Sequence, residues 1–187
     1  MAAQDYLTNQ FLIAMPTMTE PNFAQTVTFI CEHNADGALG IIINRPLQMR
    51  LSEVFDQLKI ETADPLLAQK QVLQGGPVQT DRGFVIHSAG RLWDATIKVS
   101  DRIHVTTSRD ILDALARGEG PEIAFVALGY AGWEAGQLES EMVQNSWLSV
   151  PSDERILFTT PYEQRWHASA RLLGVDLARL GPQAGHA

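Results

Sequence analysis

A chain of 187 residues with 45% hydrophobic and 19% charged side chains has the balance of one globular domain, and folding at that length removes roughly 70% of the unfolded surface from water. With 14 Lys and Arg against 22 Asp and Glu, the net charge is −8 and the basic residues do not cluster, which opposes a nucleic-acid backbone as partner. Cys31 is the single cysteine, excluding an internal disulfide and a Cys-rich metal site.

The N-terminus MAAQDYLTNQ lacks the basic and apolar regions of a signal peptide, and no apolar run approaches the ~20 residues that span a bilayer. A cytoplasmic protein outside the membrane is therefore expected, as one domain over 1–187 with flexible ends at the first few residues and at 181–187.

Phe11 to Met15 is an apolar run halted by Pro16, the pattern of a buried strand. Thr26 to His33 alternates β-branched and apolar residues, Asn34 to Gly37 supplies turn chemistry, and Ala38 to Asn44 follows, which predicts an antiparallel hairpin. A two-residue turn at Asp36-Gly37 would set Cys31 opposite Ile42, Phe29 opposite Asn44 and His33 opposite Gly40, all on one face. A longer loop would slip that register by one.

Leu51, Val54, Phe55 and Leu58 recur with the spacing of an amphipathic helix. Gln71 to Gln74 and Gly83 to Ser88 read as strands joined through Gly75-Gly76-Pro77, and ATIKV and RIHVT as two more. Asp81 with Arg82 is expected to shape a turn. Ser108 is placed to cap a helix through Ile111, Leu112 and Leu115, after which PEIAFVALG returns as a strand. Strand, helix, strand suggests parallel pairing there.

A helix is predicted after Trp133, and Tyr162, Trp166, Ala170 and Leu173 mark a C-terminal one. The fold class expected is α/β, with a mixed sheet of at least six strands flanked by helices.

Cys31 and His33 stand two apart on a strand and share a side, with Asn44 brought near by the predicted register. Cys31, His33 and Asn44 are the candidate catalytic residues. Residues at i and i+2 lie about 6 to 7 Å apart along a strand, too far for the hydrogen bond that activates a thiolate. The competing reading is that Cys31 packs in the core beside Val27 and Phe29. A metal at Cys31 and His33 would need ligands from His87, His104 or acids that sequence does not bring together, so no metal and no cofactor are expected.

VTTSRD (105–110) ends a strand and opens a helix, where hydroxyls and free N–H groups would hold an anion if Ser108 were not simply a cap. GYAGWEAG (129–136) lies between the apolar strand and the helix, but its glycine spacing, its bulky Tyr130 and Trp133 and its acids do not fit a dinucleotide loop. Its glycines suit tight turns or close backbone approach, and its aromatics suit a pocket wall or a packed corner. Glu134, Glu139 and Glu141 are accounted for by solvation and the helix dipole.

FLIAMP (11–16), ICEHNADGALGIIINRP (30–46), GGPVQTDRGFVIH (75–87), TTSRDIL (106–112), GYAGWEAGQLESE (129–141) and NSWL (145–148) together resemble the YqgE/AlgH family. The resemblance spans nearly the whole chain. It implies a compact α/β fold with a mixed sheet, a cytoplasmic bacterial protein, no established activity, and the label of transcriptional regulator without a DNA-binding motif. Its motifs pick out Cys31, Glu32, Asn44, Gly76, Arg82, Tyr130, Trp133, Gln137 and Glu139.

The leading expectation is a non-enzymatic regulatory or binding protein that influences transcription indirectly. Its partner is an unidentified protein or small molecule, met at a cleft near the hairpin face by Cys31, Asn44, Arg82, Tyr130, Trp133, Gln137 and Glu139. A Cys31-dependent enzyme or thiol sensor is the alternative, and a direct DNA-binding regulator the third.

Overall fold

The structure is a computed structural model and describes residues 6–180; the chain ends expected to be flexible, the first few residues and 181–187, lie outside the described residues apart from Tyr6 onward. Ten strands join in one sheet: β1 (Gln10–Ala14), β2 (Val27–Asn34), β3 (Gly37–Ile42), β4 (Pro46–Arg50), β5 (Gln71–Gln74), β6 (Val78–Ser88), β7 (Thr96–Lys98), β8 (Ile103–Thr106), β9 (Ala124–Glu134) and β10 (Trp147–Pro151). Six α-helices accompany them: α1 (Leu51–Leu58), α2 (Pro65–Ala68), α3 (Arg109–Ala116), α4 (Gln137–Val143), α5 (Glu154–Phe158) and α6 (Arg165–Arg171).

The strand order is β10-β1-β2-β3-β9-β6-β8-β7, with β5 beside β9 and β4 beyond it. Every pairing is antiparallel except β5 with β9. The parallel pair expected across α3 does not form, because β6 lies between β8 and β9 and runs antiparallel to both.

Alternation along the strands makes two faces. Phe29, Ile41, Leu73, Phe84, Ile86 and Ala127 point into one core, which α5 and α6 close with Ile156, Leu157 and Ala170. The neighbouring residues point the other way into two separate cores. Val72, Val85 and Val126 meet Leu51, Phe55, Ile111 and Leu112 of α1 and α3, while Leu12, Ile30, Ala131 and Trp133 meet Leu138 of α4. Each fully buried Phe or Ile contributes roughly 1.5–3 kcal/mol of transfer free energy.

The hairpin register differs from the one expected. Asn34 pairs with Gly37 and His33 with Ala38, so the two-residue turn is Ala35-Asp36. The Asn34 side chain fixes it by accepting the Asp36 N–H at 2.8 Å. Further along, Glu32 pairs with Leu39 but Ile30 with Gly40, which leaves Cys31 as the extra residue of a bulge.

β9 runs through Gly129–Glu134, so this block is strand and not the corner that the sequence suggests. Asp81 and Arg82 likewise lie inside β6. Gly129 has φ +79°, and a Cβ there would sit 2.4 Å from the Gly76 carbonyl oxygen. In return, a Cβ on Gly75 would meet the Gly129 oxygen at 2.3 Å and one on Gly76 the Tyr130 carbonyl carbon at 2.1 Å. The two backbones therefore touch directly. By contrast, a Cβ at Gly83 meets nothing within 4 Å.

Gly76→Ala is expected to lose about 3 kcal/mol or more, since one backbone must move, whereas Gly83→Ala stays within about 1 kcal/mol of wild type. Urea unfolding of both variants checks this; equal midpoints would contradict the crossing.

Candidate functional site

The open space at Gly83 belongs to a cleft of about 400 Å³ between α1, α3 and the sheet. Its floor follows from strand register. Val126, Val85 and Thr106 stand opposite one another across β9, β6 and β8, and Leu128 stands opposite Gly83 in the next row. Side chains two apart on a strand share a face, so a side chain at Gly83 would fill the hollow beside Val85. Val54, Gln57 and Leu58 of α1 and Arg109 and Leu112 of α3 form the walls, with Met49 of β4, Thr80, Asp81, Thr107 and Ser108 around them.

Local sequence explains the walls. The Glu53 carboxylate accepts the Arg50 N–H at 2.7 Å to start α1, and Lys59, at φ 58°, ends it. At α3 the expected cap is absent: the Ser108 hydroxyl accepts the Ala95 N–H at 3.0 Å and donates to Asp110 at 2.5 Å. Asp110 takes the capping place instead, accepting from Ile111 at 3.0 Å and Asp94 at 2.9 Å. Burial favours its neutral form, but the hydrogen bonds from Ser108, Asp94 and Ile111, with Arg91 nearby, outweigh it and hold its carboxyl below the usual range. The place an anion would take at this helix start is thus filled by the chain's own carboxylate.

Behind the floor, Thr106 is locked in place. The His87 Nδ1–H donates to the Ser88 carbonyl at 2.9 Å, which leaves Nε2 to accept the Thr106 hydroxyl proton at 2.7 Å. Thr96 completes the chain, 2.9 Å from Thr106. Burial lowers the His87 pKa, opposed by the Ser88 carbonyl and aided by His104, so its neutral form is favoured.

The residues singled out from sequence are distributed over five places. Cys31 is 1% exposed in the core shared with Phe29 and Ile41, and its thiol contacts the Phe29 carbonyl at 3.7 Å. Burial, with Glu32 adding to it, pushes that thiol far above its usual value. His33 does not share its surroundings. The bulge separates them, and His33 instead bonds Glu139 of α4 at 2.6 Å and Leu7 at 2.9 Å. Asn44 lies away from both: it accepts the Val27 N–H and donates to the Gln25 carbonyl, each at 2.9 Å, pinning the loop before β2.

Arg82 and Tyr130 meet on Phe84, the guanidinium 5.2 Å and the phenol ring 5.7 Å from it. Trp133 and Gln137 converge with Trp147 on a residue assigned above to solvation, Glu141. Its carboxylate accepts from the Trp133 and Trp147 indoles at 3.1 and 3.0 Å and from Gln137 at 2.8 Å. Glu139 and Glu141 therefore fasten α4 to the sheet while staying partly exposed. Near the hairpin the surface holds a shallow depression of about 370 Å³ lined by Glu32, Asn34, Asp36, Leu39 and Trp133.

Of the stretches weighed from sequence, VTTSRD reaches the cleft through Thr106 to Arg109, and the 75–87 segment reaches it through Thr80, Asp81, Gly83 and Val85. Gly83, Val85, Leu112, Val126 and Leu128 were missed. A glycine inside a strand of β-branched and aromatic residues was the available signal.

The fold and site define a small α/β protein with one ten-stranded sheet and an apolar cleft between two helices. The sequence profile of the AlgH-like family matches residues 11–178, and the chain belongs to that family. UPF0301 proteins of Thioalkalivibrio sulfidiphilus and Nitrosococcus oceani are 54% and 51% identical to it over 187 residues, each covering 100% of both chains. The solution structure of the AlgH protein from Pseudomonas aeruginosa is similar at a TM-score of 0.81 and 50% identity, over 100% of this chain and 99% of that one. A crystal structure from Corynebacterium diphtheriae shares the fold at a TM-score of 0.71 and 19% identity, over 92% and 90% of the two chains. No helix among the described residues is long and apolar enough to cross a membrane.

Cys31 is expected to resist alkylation in the folded protein across neutral pH and to react only as the chain unfolds. Iodoacetamide labelling followed by mass spectrometry along a urea series checks this, and labelling that precedes unfolding would contradict the sealed thiol.

Proposed function

We propose that the protein is a non-enzymatic cytoplasmic binding protein. It takes a small molecule with an apolar body and an acceptor-bearing end into the cleft between α1 and α3. It acts on transcription indirectly, through that ligand or a protein partner.

The observation that carries this reading is the hollow at Gly83. Val54, Leu58, Val85, Leu112, Val126 and Leu128 surround it, and its volume lies in the range of small-molecule sites. The apolar floor would take the body of the ligand. Thr80, Thr107 and Arg109 at the margin supply donors for the acceptor end.

The chemical groups elsewhere support a binding role over catalysis. Cys31 is sealed, and His33, Asn44, Glu139 and Glu141 are each committed to bonds that tie segments together. The net charge of −8 supports an indirect route to transcription.

The dye 1-anilinonaphthalene-8-sulfonate has such a body and end. Saturable fluorescence enhancement is expected with wild type, and at least a tenfold weaker affinity with Gly83→Leu, whose side chain enters the hollow without a backbone clash. Circular dichroism melting confirms the variant's fold. Equal binding by both proteins would count against the cleft.

A further inference from the structure

Tyr6 to Asn9 precede β1 and lie against β2; Asn9 donates its N–H to the Ile30 carbonyl at 2.8 Å and bonds Ser152, and His33 holds the residues before it. The Leu7 N–H donates to His33 Nδ1 at 2.9 Å, and the His33 N–H donates to the Thr8 hydroxyl at 3.0 Å. The Thr8 hydroxyl donates to the His33 carbonyl at 3.4 Å, and the Tyr6 ring meets the imidazole edge-on at a centroid distance of 5.0 Å.

These contacts fix a protonation state. A backbone N–H only donates, so Nδ1 must carry a lone pair, and the ring proton sits on Nε2 and donates to Glu139 Oε1 at 2.6 Å. The imidazole side chain is 1% exposed, so no water takes over either bond. A second proton would have to enter at Nδ1, opposite the Leu7 N–H. Two donors would then face each other, and that bond is lost.

The counter-charge is already in place. The Glu139 carboxylate is held below its usual range, chiefly by the His33 hydrogen bond, and it would stabilise an imidazolium. Among the described residues, Glu139 from α4 and Tyr6 from the N-terminal segment are the titratable groups in contact with the ring, and Glu32 flanks it on β2, turned to solvent. Protonation thus tightens the link from β2 to α4 while opening the bond from the His33 side chain to Leu7; the Thr8 and Asn9 links to the β2 backbone stay.

We propose that His33 is an acid-operated latch, which holds Leu7 and the Tyr6 ring against β2 while neutral and releases them when its Nδ1 is protonated, Asn9 staying anchored to Ile30 and Ser152. The latch does not depend on what occupies the cleft. Its elements lie around the core that α4 closes, with Leu7 packed against that core, and none of its residues lines the cleft.

NMR of the isotope-labelled full chain between about pH 8 and about pH 5 tests it. The expected result is that protection of the Leu7 amide against hydrogen exchange falls at least tenfold at the midpoint where the His33 ring signal titrates, while the Phe29 amide keeps its protection. His33→Gln, whose amide can accept from Leu7 and donate to Glu139 without charging, is expected to abolish the step. Glu139→Gln, which removes the counter-charge, moves the Leu7 step to lower pH. A Leu7 amide indifferent to His33 titration, or an imidazole that stays neutral until the whole chain unfolds, would overturn the proposal.

Discussion

Where β9 passes Gly75 and Gly76, two backbones approach more closely than any side chain permits, and the placement of the remaining strands follows from that contact. Gly75 receives the Ile42 N–H at 2.8 Å and donates its own to Leu128 at 2.7 Å. One edge of β9 can therefore serve β5 before the crossing and β3 after it. Without side chains at 75, 76 and 129 the two halves of the sheet join directly, and one shared core covers both. The opposite face, divided at the same place, has two cores. α1 and α3 close one and α4 the other.

That division separates two kinds of polar group. On the α4 side, Glu139 and Glu141 reach back to His33, Trp133 and Trp147, and the polar chemistry is spent on holding a helix in place. On the α1 and α3 side the helices pack their aliphatic side chains on the sheet but leave a hollow over Gly83. A carboxylate bonded to two indoles is a fastening, whereas valines and leucines around an unfilled glycine leave an apolar hollow.

An apolar run stopped by Pro16 exposed β1 to reading from sequence, alternation and turn chemistry exposed β2 and β3, and a helical stripe exposed α1, because in each the signal lies in residues close along the chain. Three features depended on distant partners. The Ala35-Asp36 turn was chosen by the Asn34 side chain and by the lack of room at Gly37, whose Cβ would lie 2.3 Å from the Trp133 oxygen. The bulge at Cys31 is visible only once β3 is laid against β2. The roles of Glu139 and Glu141 required knowing that His33 and two tryptophans lie beneath α4. Similarly, Gly75, Gly76 and Gly129 were legible as glycines needing close approach or turns, but not as partners of one another, and the cleft was legible only as separate pieces, VTTSRD, the 75–87 segment and the α1 stripe, not as one hollow.

The central claim is that the hollow over Gly83 receives the apolar part of a ligand. Isotope-filtered NOE spectroscopy with octanoate, an apolar chain ending in an acceptor, reads this atom by atom. The account predicts NOEs from the octanoate methylenes to the methyl groups of Val85, Leu112, Val126 and Leu128, and none to Trp133 or Leu138. NOEs confined to the exposed Leu172 and Leu173, or to the α4 side of the sheet, would contradict it.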